Sequence, residues 1–194
     1  MPRSCSTSAL IVLLISLTAC GPRDLLLGTG AAVGTASLQE RGLRGAASDY
    51  GLRLAINDAW FKASLDLYER ASLMISNGRV VMIGRVPSEE LRIRAHALAE
   101  TAARRPVINR LTVGDDLGFQ RELADKSISL QLQSALTFDR DVNAVNYDVA
   151  TVNGVVYLIG EAQNEREERR VRYLATTISG VQAVESFIQV PEIL

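Results

Sequence analysis

The sequence predicts an α+β protein built as two tandem αββαβ domains, each a three-stranded mixed sheet with two helices on one face. Three observations carry this. A helical pattern recurs: Asp49, Leu52, Ile56 and Trp60 return as Asp125, Ile128, Leu132 and Leu136, each 76 residues further on. A hairpin pattern recurs at the same distance, Asn77-Gly78 and Ile83-Gly84 returning as Asn153-Gly154 and Ile159-Gly160. Only the valines break step, Val80-Val81 being matched one residue early by Val155-Val156. One offset shared by a helix and a hairpin makes each copy a complete folding unit. The composition, 47% hydrophobic and 22% charged over 194 residues, is that of a globular chain with room for two small domains.

The first element is an address. Arg3 precedes the apolar run Ala9 to Ile15, which is too short for a permanent span and predicts a signal peptide over residues 1–19. The run closes on Leu17-Thr18-Ala19-Cys20, which resembles the lipobox of bacterial lipoproteins, so Cys20 is the expected lipidation site. Cys5 would leave with the leader, and the remaining chain then has no disulfide and no thiolate cluster. Acyl chains on one residue give durable anchoring, at about 0.8 kcal/mol per buried CH₂. Gly21, where Asp would signal inner-membrane retention, points to the outer membrane. Residues 20–47 are expected to be the lipidated N-terminus and a flexible, glycine-rich linker. Within them Gly28-Thr29-Gly30 superficially resembles a dinucleotide loop, but the third glycine is one residue late and no strand precedes it.

The first domain is expected over residues 48–114. Asp49 reads as an N-cap, and Leu52, Ile56 and Trp60 fall on one helical face, with Trp60 read as core. Ala71–Ser76 and Arg79–Ile83 flank Asn77-Gly78, two residues that tolerate the positive φ of a tight hairpin. Ser88 caps a second helix whose Glu89 and Glu90 suit its positive end, and Leu91, Ala95, Leu98 and Ala102 mark its buried face. Pro106 stops it, and Val107 to Val113 forms the last strand.

The second domain, residues 117–194, repeats the plan. Its first helix runs from about Phe119 to Leu136, and its hairpin from about Val145 to Gly160. Asn164-x-x-Glu167 has capping-box spacing, Gly180 ends the second helix, and Val181 to Val190 is the final strand. Copies of this size sit near the lower limit of a self-supporting core, which invites them to lean on each other.

The order of these motifs resembles the BON (bacterial OsmY and nodulation) domain: Asp with three apolar residues at helical spacing, Asn-Gly, a strand ending in Gly84 or Gly160, an amphipathic helix and a valine-rich strand. Two copies behind a lipobox resemble the dual-BON outer-membrane lipoproteins. That resemblance implies a non-enzymatic protein on the periplasmic face of the outer membrane, lipid-anchored, which binds anionic phospholipid and supports envelope integrity. It also implies a link to the outer-membrane protein assembly machinery. Two alternatives stay open: a protein-interaction adaptor for an envelope complex, and an OsmY-like periplasmic stress protein whose Cys20 is not lipidated.

The resemblance places lipid contact around the first helix of the second domain. The family can carry an aromatic near that helix start, where this chain has Lys126 and Ser127. Phe119, Leu123 and Leu130 are the remaining apolar candidates outside the core stripe, with packing against the other copy as the competing role of Leu123 and Leu130. A basic residue near an acidic surface contributes about 1 kcal/mol.

No cofactor, metal site or catalytic residue is expected. His96 stands beside the helical stripe, with no cysteine available and no Asp/Glu cluster at ligand spacing. No Gly-x-Ser-x-Gly elbow exists, and Asp115-Asp116 and Asp139/Asp141 fit caps and loops. Arg166, Arg169, Arg170 and Arg172 form a tempting row, but Glu165 and Glu168 stand four residues before Arg169 and Arg172, as on a solvated helical face. Arg92, Arg94, Arg104, Arg105 and Arg110 are less balanced and could meet headgroups or serve solubility. A net charge of −1 supplies no field that would draw the chain to nucleic acid.

Overall fold

The fold follows from a computed structural model that describes residues 42–116 and 118–191. The expected signal peptide, Cys20 and most of the expected linker lie outside these residues. The first copy contains α1 (Gly42–Ala63), α2 (Leu65–Arg70), β1 (Ala71–Ser76), β2 (Arg79–Val86), α3 (Glu89–Ala103) and β3 (Val107–Val113). The second contains α4 (Phe119–Phe138), a 3₁₀ turn (Ala144–Asn146), β4 (Tyr147–Val152), β5 (Val155–Glu161), α5 (Glu165–Thr177) and β6 (Ala183–Gln189).

Each copy forms one mixed sheet, with the orders β1-β2-β3 and β4-β5-β6. The hairpins pair antiparallel, and β3 and β6 return parallel to the central strands after a helical crossover. Both turns take left-handed backbone at Asn and Gly: Asn77 and Gly78 have φ of 50° and 73°, Asn153 and Gly154 of 52° and 75°. That is the geometry that matches the twist of a two-residue hairpin.

Asp49 is not an N-cap. α1 begins at Gly42, before Asp49, and α4 begins at Phe119, before Asp125. Both aspartates are buried inside their helices, and each carboxylate takes the two amides of the hairpin turn. Asn77 N and Gly78 N donate to Asp49 at 3.0 and 2.7 Å. Asn153 N and Gly154 N donate to Asp125 at 2.6 and 2.8 Å. The repeated Asp and Asn-Gly are thus two ends of one contact, which ties the first helix of each copy to its hairpin.

The break in step of the valines is not a slip of register. Ala71 pairs with Gly84 and Tyr147 with Gly160, so the 76-residue offset runs through the whole hairpin and the counterpart of Val81 is Tyr157. The true shift comes later: Val80 pairs with Val107 but Val156 with Val184, after a longer connection from α5 to β6.

Helices cover one face of each sheet. In the first copy Ile56, Trp60, Leu73, Ile75, Val80 and Met82 share a core with α3. The fully buried residues of α3 are Ala95, Ala99 and Ala103, while Leu91, Leu98 and Ala102 lie at its margin. The small side chains let the helix backbone approach closely enough for Trp60 Nε1 to donate to the Ala95 carbonyl at 3.0 Å. In the second copy Ile128, Leu132, Leu136, Val156, Leu158, Val171 and Ala175 form the matching core.

The opposite faces of the two sheets pack on each other. Met74, Val81 and Ile83 meet Tyr157 and Ile159 in a third buried cluster, with Ile108, Val152 and Phe187 at its edge. Polar contacts ring it: Arg79 Nη1 donates to the Phe187 carbonyl at 2.9 Å and Asn77 Nδ2 to Glu161 at 2.6 Å. Arg110 pairs with Glu185 at 2.5 Å, its guanidinium 5.6 Å from the Phe187 ring centre. The copies therefore join sheet to sheet, and their helices form the outer layers.

Candidate lipid-binding site

Because the sheets meet each other, α4 keeps one face for its own core and one for solvent. At 100° per residue, Asp125, Ile128, Leu132 and Leu136 lie on the inner face, and all are buried. Phe119, Leu123, Lys126 and Leu130 fall together on the far side, within roughly 60° of arc. Phe119 and Leu130 are each 71% exposed and Leu123 is 50% exposed. Leu123 and Leu130 thus stay open to solvent with the first copy in place. Lys126 and Ser127 are exposed beside them. Ser127 sits at the margin of the strip, its hydroxyl accepting Gln131 Nε2 at 3.1 Å. Phe138, at the other end of α4, is 82% exposed. The strip can offer apolar area and one cation to an amphipathic surface. It holds no convergent polar groups of the kind a reaction needs.

A cleft between the copies carries the other charges near α4. Arg70, Arg85, Arg121 and Lys126 line it against Glu69, Asp116, Glu122 and Asp125, four charges of each sign. Arg70 is held by Asp66 at 2.5 Å and faces Asp116 at 3.8 Å, and Arg121 stands 3.8 Å from Asp125. The balance leaves the cleft without a net field for an anion.

The BON domain family profile matches residues 57–115 and 124–192, covering both copies. The chain belongs to the BON domain family. Among characterised relatives, it is 29% identical to the outer membrane lipoprotein DolP of Haemophilus influenzae, over 82% of this chain and 83% of that one. It is 30% identical to an uncharacterised protein of Anaplasma centrale, over 73% of this chain and 93% of its relative. Among solved structures it resembles CdsD, a structural protein of the type III secretion system of Chlamydia trachomatis, at 19% identity and a TM-score of 0.31. That alignment covers 74% of this chain and 63% of CdsD.

Several other basic residues of the two BON domains are engaged as helix-surface and linking groups. In the second domain Arg169 pairs with Glu165 at 3.0 Å and Arg172 with Glu168 at 3.4 Å. Arg170 donates twice to Asp139, at 2.9 and 2.8 Å, and Arg166 stands 3.5 Å from Asp141. In the first domain Arg92 pairs with Glu89, and Arg105 donates to the Gly78 carbonyl at 3.0 Å. His96 Nε2 lies 2.8 Å from the Val107 carbonyl, linking α3 to β3. Asn164 caps α5 by accepting from Arg166 N and Glu167 N, both at 3.0 Å. The carboxylate of Glu167 reaches outward instead, to Asn143 N and Gln163 N at 2.7 Å each.

Sequence reasoning missed a second exposed strip, on the first BON domain. Tyr50, Leu54 and Phe61 of α1 and Leu65 and Tyr68 of α2 are all exposed. Their spacing was readable, but the core stripe beside them had already explained the helix.

Proposed function

We propose that this chain is an envelope-associated lipoprotein that binds phospholipid through its second BON domain and helps keep the outer membrane intact. The observation that carries the reading is the strip Phe119, Leu123, Lys126 and Leu130, turned to solvent on the outer layer of a sheet-to-sheet pair. The BON family and the likeness to an outer membrane lipoprotein support it. So does the Leu17-Thr18-Ala19-Cys20 sequence, in which acylation of Cys20 would anchor the domains. With one lysine on the strip, contact is mainly apolar and anionic lipid adds to it. The protein acts as a binding module, not as an enzyme, and its partner is the membrane.

Vesicle flotation tests this with residues 20–194 carrying Cys20→Ser, which removes both the acyl chains and the apolar leader. Binding should be stronger to vesicles containing phosphatidylglycerol than to phosphatidylcholine alone. Phe119→Ser with Leu130→Ser should remove that preference and most of the anionic-lipid binding. Equal absence of binding to both vesicle types would overturn the reading and leave an adaptor or a soluble periplasmic role.

A further inference from the structure

The first BON domain carries an exposed strip richer in aromatic side chains than that of its twin. Tyr50, Leu54 and Phe61, spaced by four and seven residues, lie on one face of α1, away from the buried Asp49, Ile56 and Trp60. Ser64 breaks the helix, its hydroxyl accepting Leu67 N at 3.3 Å, and α2 carries the strip onward through Leu65 and Tyr68. The rings of Phe61 and Tyr68 meet edge to face at 5.5 Å across that break, so the strip is continuous. Tyr50, Phe61 and Leu65 are each more than half exposed. In the second domain the positions 76 residues on are Lys126, Leu130, Thr137, Asp141 and Ala144, so at these positions only the first copy is aromatic.

Single exposed apolar residues are ordinary, whereas a continuous row of five marks a contact surface. Its chemistry fits the boundary of a bilayer: tyrosines at both ends, which keep a hydroxyl among headgroups, and Leu, Phe and Leu between them. The charge beside it is neutralised within the helix, Lys62 pairing with Asp58 at 2.7 Å. The chain also leads there. Gly42, where α1 starts, follows Cys20 by only 22 residues in the sequence. Among the described elements α1 is the first after the anchor.

We propose that Tyr50, Leu54, Phe61, Leu65 and Tyr68 form a second membrane face, one that enters the headgroup–acyl boundary by apolar burial and requires no anionic lipid. The proposal rests on the lipid-binding reading for its tether, but it names a different face with a different lipid dependence.

The test compares two paired variants of residues 20–194 with Cys20→Ser: Leu54→Ser/Phe61→Ser and Phe119→Ser/Leu130→Ser. Partitioning is measured on phosphatidylcholine vesicles and on an equal mixture with phosphatidylglycerol, at low and high salt. Leu54→Ser/Phe61→Ser should weaken partitioning onto phosphatidylcholine by about tenfold or more, independent of salt, while the anionic preference remains. Leu65→Ser/Tyr68→Ser, on the separate helix α2, should act in the same direction. Unchanged phosphatidylcholine binding in both first-domain variants overturns this proposal and leaves the second-domain reading standing. Loss confined to Phe119→Ser/Leu130→Ser has the same meaning. A wild-type dimer that Leu54→Ser/Phe61→Ser converts to monomer, with vesicle binding unaltered, overturns it in favour of self-association.

Discussion

Gly154 donates its amide to the carboxylate of Asp125 at 2.8 Å, and Gly78 does the same to Asp49 at 2.7 Å. In both copies an acidic residue inside a helix satisfies a hairpin turn 28 or 29 residues later in the chain. A charged acceptor with two amides is worth more than a neutral bond, and its loss leaves partly buried donors open. Asp125→Ala and Asp49→Ala should each lower stability by about 1–3 kcal/mol in urea unfolding. Asp125→Asn, which keeps one carbonyl acceptor, should recover part of the loss.

Gly84 and Gly160 lie opposite the first residue of the preceding strand in each hairpin, where a Cβ would collide with the carbonyl oxygen of Arg70 or Asn146. Their φ values of 132° and 157° add strain for any other residue. Gly84→Ala and Gly160→Ala should therefore each cost about 3 kcal/mol by chemical denaturation. Alanine at exposed Gly51, where a Cβ meets nothing and the backbone is helical, should be neutral or slightly stabilising.

Ile83 and Ile159 lie in the buried cluster between the sheets. A carboxylate there would be buried without a partner, so Ile83→Asp or Ile159→Asp should uncouple the domains. Calorimetry should then resolve two transitions in place of one. Arg110→Ala, which removes a half-exposed ion pair at the rim, should cost no more than about 1 kcal/mol and keep one transition.

Asp139 ends α4 and is held below the usual carboxylate range, first by the hydrogen bond from Arg170 and also by the Asp141 amide, against the opposing effect of burial. A lowered folded-state pKa gives stability that is present above the unfolded value and is lost as pH falls through the folded one. Unfolding free energy measured across the acid limb, below about pH 4, should fall less steeply in Asp139→Asn than in the unaltered protein.

What the sequence made legible is what repeats. The 76-residue offset exposed both cores because Ile56, Trp60, Leu132 and Leu136 face them at helical spacing, and Asn-Gly marked both turns. The partner of Asp49 was hidden because the contact spans 28 residues, and a carboxylate before an apolar stripe resembles a cap. The true start of α1 was hidden because Gly42 to Ser48 contains two glycines and small residues without periodicity. Sheet-to-sheet packing did leave a signal: Val80 to Ile83 and Val155 to Ile159 are unbroken apolar runs, as strands buried on both faces require. The exposed strips depend on which helix face the second copy leaves uncovered, and no single repeat contains that information.

The most direct test places an environment-sensitive fluorophore at one position of α4, on residues 20–194 carrying Cys20→Ser and a single introduced cysteine. At Leu130→Cys, on the outer strip, vesicles containing phosphatidylglycerol should shift the emission to the blue. At Ser134→Cys, one turn further along and exposed at the edge of the strip, the shift should be smaller. At Glu165→Cys, on the solvated face of α5, it should be absent. An unchanged spectrum at Leu130→Cys, with vesicle binding intact, would contradict the assignment of α4 as the membrane-contacting helix.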